Sequence, residues 1–166
     1  MKKILTVLLI SFSVAFLLSG CRVTTIEQAI MAAESNGSIP KLNHDNTITG
    51  PDKDNNGIRD DIDAYIATLP YTEVQKKAVK QHAKALSTSL TVDTTDKTAL
   101  LKVADDMSRA SECVYTKLAD NIPSKIKSDN EKMIVNTKNR FLQYEKFNSA
   151  LSGGVFASPV GDGCDN

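Results

Sequence analysis

The sequence predicts an all-α fold, a small bundle of about four helices preceded by an acidic loop and a flexible N-terminal tether. Apolar residues recur at helical spacing from Ile58 to Leu151, which is typical of helices that bury one face. Proline and glycine interrupt this spacing at Pro70, at Pro123 and at the Gly153-Gly154 pair. The alternating pattern of a strand does not extend beyond about five residues anywhere in this region.

Each predicted helix has an apolar stripe, and most have a start signal. The first stripe begins at Ile58 and ends at Leu69, directly before a proline. Thr72 followed by Gln75 predicts a capping box at the start of the second helix. The four predicted helices cover residues 58–69, 72–90, 95–118 and 124–151, and a shorter helix over 25–34 is compatible with the sequence.

Length and charge limit the function classes. The chain has 166 residues, with 20 basic and 20 acidic side chains, which suits one domain with a modest core. A dedicated nucleic-acid binder normally carries a basic excess, so no nucleic-acid partner is expected. After residue 20, no apolar stretch reaches the length of about 18 residues that a membrane span needs.

Residues 1–20 have the pattern of a secretion signal. Met1-Lys2-Lys3 supplies the positive start, and residues 4–18 form an apolar run that is short for a stable transmembrane helix. The run ends in Leu18-Ser19-Gly20-Cys21. We therefore expect residues 1–20 to be a signal peptide that is removed from the mature protein.

Leu18-Ser19-Gly20-Cys21 resembles the lipobox of bacterial lipoproteins. The resemblance implies diacylation of the Cys21 sulfur, cleavage before Cys21 and acylation of the new amine with a fatty acid such as palmitate. Each buried methylene contributes about 0.8 kcal/mol, so two or three acyl chains make a firm membrane anchor. Residues 21–51 then form a lipidated tether, and Arg22 favours the outer membrane, with the domain in the periplasm or outside the cell. A plain secreted protein with a chance cysteine at the cleavage site is the alternative.

With Cys21 assigned to lipid, Cys113 and Cys164 remain as an even pair in an oxidising compartment. We expect a disulfide bond between them, which stabilises the fold by about 4 kcal/mol on the chain-entropy view. Two free thiols or intermolecular pairing are the alternatives. A catalytic redox role is not expected, because the sequence contains no Cys-x-x-Cys spacing.

The segment from Asp52 to Asp63 reads Asp-Lys-Asp-Asn-Asn-Gly-Ile-Arg-Asp-Asp-Ile-Asp. Oxygen-bearing residues at positions 1, 3 and 5, glycine at 6 and an acid at 12 are what an EF-hand-type calcium loop needs. The aliphatic residue, Ile58, stands at position 7 and Asp63 at position 12. EF-hands usually have the aliphatic residue at position 8 and a glutamate at position 12. This variant resembles the calcium repeats of thrombospondin type 3.

The resemblance to those repeats implies a calcium site at the start of the helical domain, residues 52–166. Magnesium fits less well, because it prefers octahedral sites that keep several waters. A solvated acidic turn at a helix N-terminus is the alternative. The implied ligands are the side chains of Asp52, Asp54, Asn56, Asp60 and Asp63 and the backbone carbonyl of Ile58; Asp61 falls between ligand positions and is left out.

A further resemblance, to small uncharacterised exported bacterial proteins, rests on residues 50–66 and on the segment from Asn136-Thr137 to Leu151-Ser152-Gly153. It implies a family and no function. No catalytic constellation is visible, since His44 and His82 lack matching ligands or a nucleophile motif. Lys76, Lys77, Lys80 and Lys84 are expected to form a solvated helix face or to meet an anionic surface.

The sequence therefore predicts a non-enzymatic lipoprotein of the cell envelope, a calcium-stabilised and disulfide-bonded helical domain with a structural or protein-binding role. Its expected partners are the membrane, through the lipid anchor, and an envelope protein. An envelope hydrolase, or an inhibitor of one, is the alternative function.

Overall fold

The computed structural model describes residues 25–154 and 156–165. These residues contain helices, turns and loops but no strand, so the predicted all-α class is confirmed. The six helices are α1 (Ile26–Ser35), α2 (Asp60–Thr68), α3 (Glu73–Ser89), α4 (Lys97–Lys117), α5 (Ile122–Ile134) and α6 (Lys138–Ala150).

The prediction of about four helices is wrong for two reasons. The short helix within the predicted tether forms as α1, and the predicted fourth helix is divided into α5 and α6. The division lies at residues 135–137, where Val135 leaves helical geometry and the Thr137 side chain accepts a hydrogen bond from Arg140 N. Thr137 therefore begins a new helix where the apolar spacing suggested a continuous one.

Local sequence signals position the other helices. The predicted capping box of Thr72 and Gln75 starts α3, and Thr25 with Gln28 makes the same arrangement at α1. The Asp96 side chain accepts hydrogen bonds from two backbone amides at the start of α4. These caps satisfy amides that have no partner within their own helix.

Helix α3 is the central element and packs against α2, α4, α5 and α6. Its apolar stripe includes Val79, Ala83 and Leu86, all 2% exposed or less. A second, smaller cluster joins Leu100 and Val103 of α4 to Phe147 of α6. The main core brings together buried apolar residues of α1 to α5, and Phe141 and Tyr144 of α6 pack against it; its buried members include Ile30, Ile62, Ile66, Val114, Met133 and Ile134.

Residues 25–51, which the sequence predicts as part of a tether, pack on this bundle. Ile30, Ile39 and Leu42 are buried in the main core, and Glu27 Oε1 accepts a hydrogen bond from Lys138 N at 2.6 Å. The predicted signal peptide and the lipidation site Cys21 lie outside the described residues. Within the part that is described, no helix is both long and apolar enough to cross a membrane.

The predicted disulfide bond between Cys113 and Cys164 is present, with 4.7 Å between the Cα atoms. It joins the buried face of α4 to the segment that follows α6. Gly163 lies so close to α4 that a Cβ atom there would stand 2.2 Å from the Arg109 carbonyl oxygen. Gln81 of α3 bonds the same segment through Gly163 O and Asp165 N. The bridge therefore reinforces a contact that the backbone already makes.

Replacing Cys113 and Cys164 together by serine should lower the free energy of unfolding by about 4 kcal/mol, because the unfolded chain regains the entropy of a loop that spans 51 positions. Urea unfolding followed by circular dichroism measures the loss. Adding a reductant should destabilise the wild-type protein by a similar amount and leave the double variant unchanged. Equal midpoints for wild type and variant would contradict a structural bridge.

His82 is a buried histidine of α3, with 5% of its surface exposed. Its Nδ1 lies 3.2 Å from the side-chain nitrogen of Asn130, which also donates to Val79 O at 3.2 Å. An amide nitrogen is a donor, so Nδ1 accepts and the neutral ring carries its proton on Nε2. Burial, and next the positive charge of Lys127, lower the pKa of His82 to about 4. The histidine is therefore a neutral packing residue.

The stability of the fold should decrease as the pH falls from about 6.5, the pKa of an unfolded histidine, towards about 4, the pKa of buried His82. In this window the unfolded chain binds a proton at His82 and the folded chain does not. The free energy of unfolding therefore falls by on the order of 2 kcal/mol between pH 7 and pH 5. Urea titrations at the two pH values measure it. The control is His82→Gln, which should lose most of the pH dependence; an unchanged slope would contradict this origin.

Candidate metal centre

The loop before α2 is folded by hydrogen bonds from its own backbone to its acidic side chains. The two oxygens of Asp52 accept from Asn56 N at 3.1 Å and from Gly57 N at 2.9 Å. Asn56 Oδ1 accepts from Ile58 N at 2.8 Å. Asn55 and Gly57 both have positive φ, 56° and 85°, which turns the chain back on itself. The loop thus has the tight curvature that the predicted motif requires.

This curvature brings three of the predicted ligands together. One carboxylate oxygen each of Asp52, Asp54 and Asp60 lies within 4.8 Å of the others, and these three residues are called the three-aspartate group. Lys53 N donates to Asp60 Oδ1 at 3.0 Å, which fixes the third carboxylate. Three negative charges this close repel one another, and oxygen ligands of this kind suit a hard divalent cation.

The other predicted ligands are placed differently. The carboxylate of Asp63 faces α3, where Lys80 Nζ lies 2.8 Å from Oδ1, although no hydrogen bond of good geometry forms at that oxygen. Asp63 is therefore outside the three-aspartate group. Asn56 Nδ2 donates to Asp54 Oδ2 at 2.9 Å, so its amide lies beside the group. The side chain of Ile58 is buried in the core, which leaves its backbone carbonyl for the role that the resemblance implies.

Directly behind the loop lies a polar cluster that the sequence did not predict. We call it the arginine cluster; its members are Arg59, Arg140, Asn136, Asp61, Asp45 and Asn43. Arg59 follows Ile58 and precedes α2, and only 4% of it is exposed. Its guanidinium donates to both oxygens of Asp61, at 2.6 and 3.0 Å, and to Met133 O at 2.9 Å. A loop residue is thereby attached to the end of α5.

The second guanidinium of the cluster belongs to Arg140 of α6, which is fully buried. It donates to Asn43 O at 2.8 Å, to Ile48 O at 3.2 Å and to Asp45 Oδ1 at 2.9 Å. Both arginines also donate to Asn136 Oδ1, Arg59 at 3.2 Å and Arg140 at 2.8 Å. The cluster therefore joins residues 43–48, the end of the acidic loop and the α5–α6 junction.

Charge is balanced within this cluster. Burial lowers the pKa of Arg140, and the charge of Arg59 acts in the same direction, while Asp45 and Asp61 oppose both. Two guanidinium groups thus face two carboxylates. Asp61 Oδ2 also accepts a hydrogen bond from Asn43 N at 2.6 Å. A buried arginine without such partners would be strongly destabilising, so the carboxylates are part of the fold.

The lysines of α3 do not form a single solvated face. Lys80 pairs with Asp63, and Lys76 donates to Ala67 O at 2.8 Å. Lys77 and Lys84 are exposed and line, with Asn56 and Cys164, an open groove of about 660 Å³ between the loop and the disulfide. This groove has a mixed lining that also contains Asp162 and Asp165.

The sequence offered few signals for the arginine cluster. The sequence alone does not distinguish a buried arginine from a solvated one. Asp61 is not among the implied calcium ligands, because it stands between ligand positions. Thr137, which caps α6, is a residue type that favours a helix N-terminus and therefore indicates a helix start next to Asn136.

No protein-family model, curated protein or solved structure matches this chain.

Two glycine substitutions test whether the arginine cluster supports the loop. Gly50 and Gly37 both have positive φ, 70° and 76°, so alanine at either position is strained by about 1 kcal/mol. A Cβ at Gly50 would stand 2.2 Å from Arg59 Cδ, whereas nothing lies within 4 Å of one at Gly37. Because the bonds of Arg59 prevent it from moving aside, Gly50→Ala should cost a further 1–3 kcal/mol, roughly the cost of overpacking.

Chemical denaturation of the two alanine variants measures this difference, with Gly37→Ala as the matched control for backbone strain. Equal losses of unfolding free energy in both variants would contradict a rigid arginine cluster.

Proposed function

We propose that this chain is a lipid-anchored protein of the cell envelope: a non-enzymatic helical domain, stabilised by calcium, that serves a structural or protein-binding role. Calcium binds in the loop at residues 52–63. The anchor is the acylated Cys21, and the outer membrane is the expected location. The disulfide bond suits an oxidising compartment of this kind.

The observation that carries the calcium site is the convergence of Asp52, Asp54 and Asp60. Their oxygens lie within 4.8 Å of one another, at the positions 1, 3 and 9 of the predicted loop. The positive φ of Gly57 adds support, because a calcium loop turns at its sixth position. The turn of the loop and the three-aspartate group together support a calcium site.

Calcium at this position would act on stability. The ion neutralises the repulsion of the three-aspartate group and fixes the backbone between Asp52 and Asp60. Arg59 stands directly before Asp60 and donates hydrogen bonds to Asn136 and Met133. An ordered loop therefore also stabilises the α5–α6 junction. A single loop of this kind has no partner loop to couple with, which favours a structural role over a cooperative sensor.

Thermal unfolding of the domain from residue 22 to 166, in excess EDTA and then in calcium, tests the site. At free calcium one hundred times the dissociation constant, linkage adds about 2.7 kcal/mol to the free energy of unfolding. The midpoint should therefore rise by several degrees. Magnesium at the same concentration should have a smaller effect, because the loop offers a protein cage rather than a site that keeps several waters.

The Asp52→Asn, Asp54→Asn double variant should lose the calcium response. The matched control is Asp105→Asn, which removes an exposed acid of α4 and should respond as the wild type does. The single variant Asp54→Asn keeps the Asp52 bonds to the backbone and serves if the double variant folds poorly. A wild-type midpoint that does not move with calcium would overturn the calcium site.

A further inference from the structure

We propose that the domain rests directly on the lipid surface through one face, formed where the N-termini of α1 and α6 meet. This inference deepens the proposed function and rests on the lipid anchor at Cys21. We call the surface the anchor-side face; its residues are Thr25, Glu27, Met31, Lys138, Phe141 and Leu142. The occupant of the face is a phospholipid bilayer.

The length of chain between the anchor and the domain carries the inference. Thr25 is fixed to the bundle, because it caps α1 and because Glu27 in the first turn bonds Lys138 N at 2.6 Å. Ile30, one turn further, is buried in the main core. Four Cα–Cα steps separate Cys21 from Thr25, which span no more than about 15 Å even in a fully extended chain. The anchor therefore cannot hold the domain far from the membrane.

The bilayer dimensions make this limit decisive. Its hydrocarbon core is about 30 Å thick and its full thickness about 40–45 Å, so each headgroup layer is roughly 5–8 Å deep. An acyl chain attached to Cys21 places that residue near the hydrocarbon boundary. The chain of about 15 Å first crosses the headgroup layer, so Thr25 then lies at most about 10 Å above the headgroups. The surface around Thr25 has to face the lipid.

The composition of this face agrees with a lipid contact. Leu142 and Met31 are 51% and 52% exposed. Thr25, Glu27, Lys138, Phe141 and Leu142 line one groove of about 440 Å³. Phe141 also lines a second groove, of about 830 Å³, between α1 and α5. Apolar side chains with a lysine beside them suit the boundary between headgroups and acyl chains.

Helical spacing places the apolar residues Met31 and Leu142 on the anchor-side face. Glu27 contacts Lys138, and Met31 follows Glu27 by four positions, as Leu142 follows Lys138. Residues four apart in a helix lie on the same face. Met31 therefore lies one turn beyond Glu27 on the same face of α1, and Leu142 lies one turn beyond Lys138 on the face of α6 that lines a groove with Thr25 and Glu27.

Thiol accessibility in the lipidated protein tests this orientation. Leu142→Cys is made in the full chain, which is expressed with its signal, purified and reconstituted into vesicles of phosphatidylethanolamine and phosphatidylglycerol. Mass spectrometry establishes the lipid on Cys21, and the bridge between Cys113 and Cys164 leaves the new thiol as the reactive one. The rate of reaction with a water-soluble maleimide is compared with that of the same variant in the non-lipidated domain from residue 22 to 166.

The Leu142→Cys thiol should react about tenfold more slowly on vesicles, because a thiol in apolar surroundings loses thiolate and a pKa rise of one unit lowers that fraction tenfold. The controls are Leu101→Cys on α4, 43% exposed in the wild type, and Val74→Cys on α3, 59% exposed. Both should react at the same rate on vesicles as in the free domain. All three positions are exposed, so the variants should fold.

The failures are distinguishable. A fully reactive Leu142→Cys thiol in protein whose Cys21 carries lipid would overturn the orientation and leave the anchor standing. Absence of lipid on Cys21 would overturn the anchor and the orientation together. Slow reaction of Leu142→Cys in the free domain, dependent on protein concentration, would assign the face to a second copy of the chain and also overturn the lipid contact.

Discussion

Two buried guanidinium groups share one amide oxygen, that of Asn136, and this arrangement joins residues 43–48, the end of the acidic loop and the α5–α6 junction. Arg59 brings the end of the acidic loop to this point, Arg140 brings α6, and Asn136 itself stands between α5 and α6. Residues 43–48 are included because their carbonyls and Asp45 satisfy the remaining donors of Arg140. A buried charge without partners is strongly unfavourable, so the two arginines require the hydrogen-bond acceptors that these segments supply. The segments are therefore held together.

The three-aspartate group and the arginine cluster are neighbouring charge arrangements of different kinds, one with excess negative charge and one in which the charges are balanced. The three-aspartate group gathers negative charge beside one exposed lysine, Lys53, whose Nζ lies 3.8 Å from Asp60 Oδ2, whereas Asp61 of the following turn is neutralised by the buried Arg59. Asp63 is neutralised by Lys80 in a similar way. Asp61 and Asp63 are thus each paired with a close cation of the protein, whereas the three-aspartate group has only the exposed Lys53 and keeps an excess of negative charge, which is the physical basis of the calcium proposal.

The sequence predicted features that are determined locally, together with the Cys113–Cys164 bridge that follows from the cysteine count, and missed the polar contacts between distant residues. The capping box at Thr72 and the stripe from Val79 to Leu90 are local, and the structure has both. The break at residues 135–137 is different, because Asn136 is held by Asn43 and by the two arginines. Apolar spacing carries no information about such partners, and so a single helix was expected there. The curvature of the candidate metal loop followed from its glycine and its Asx residues, whereas the pairing of Asp63 with Lys80 depended on how α2 packs against α3.

The arginine cluster also has a consequence for the order of folding. Helices α3 and α4 are joined by the short connection of residues 90–96, so their contacts close early and at little entropic expense. The bonds of the cluster instead join residues up to 97 positions apart. We therefore expect the helical hairpin to assemble first and the polar centre last. Until the cluster forms, Arg140 lacks its distant partners Asn43, Ile48 and Asp45, so compact states that bury it elsewhere are disfavoured and the chain is directed towards a single native arrangement.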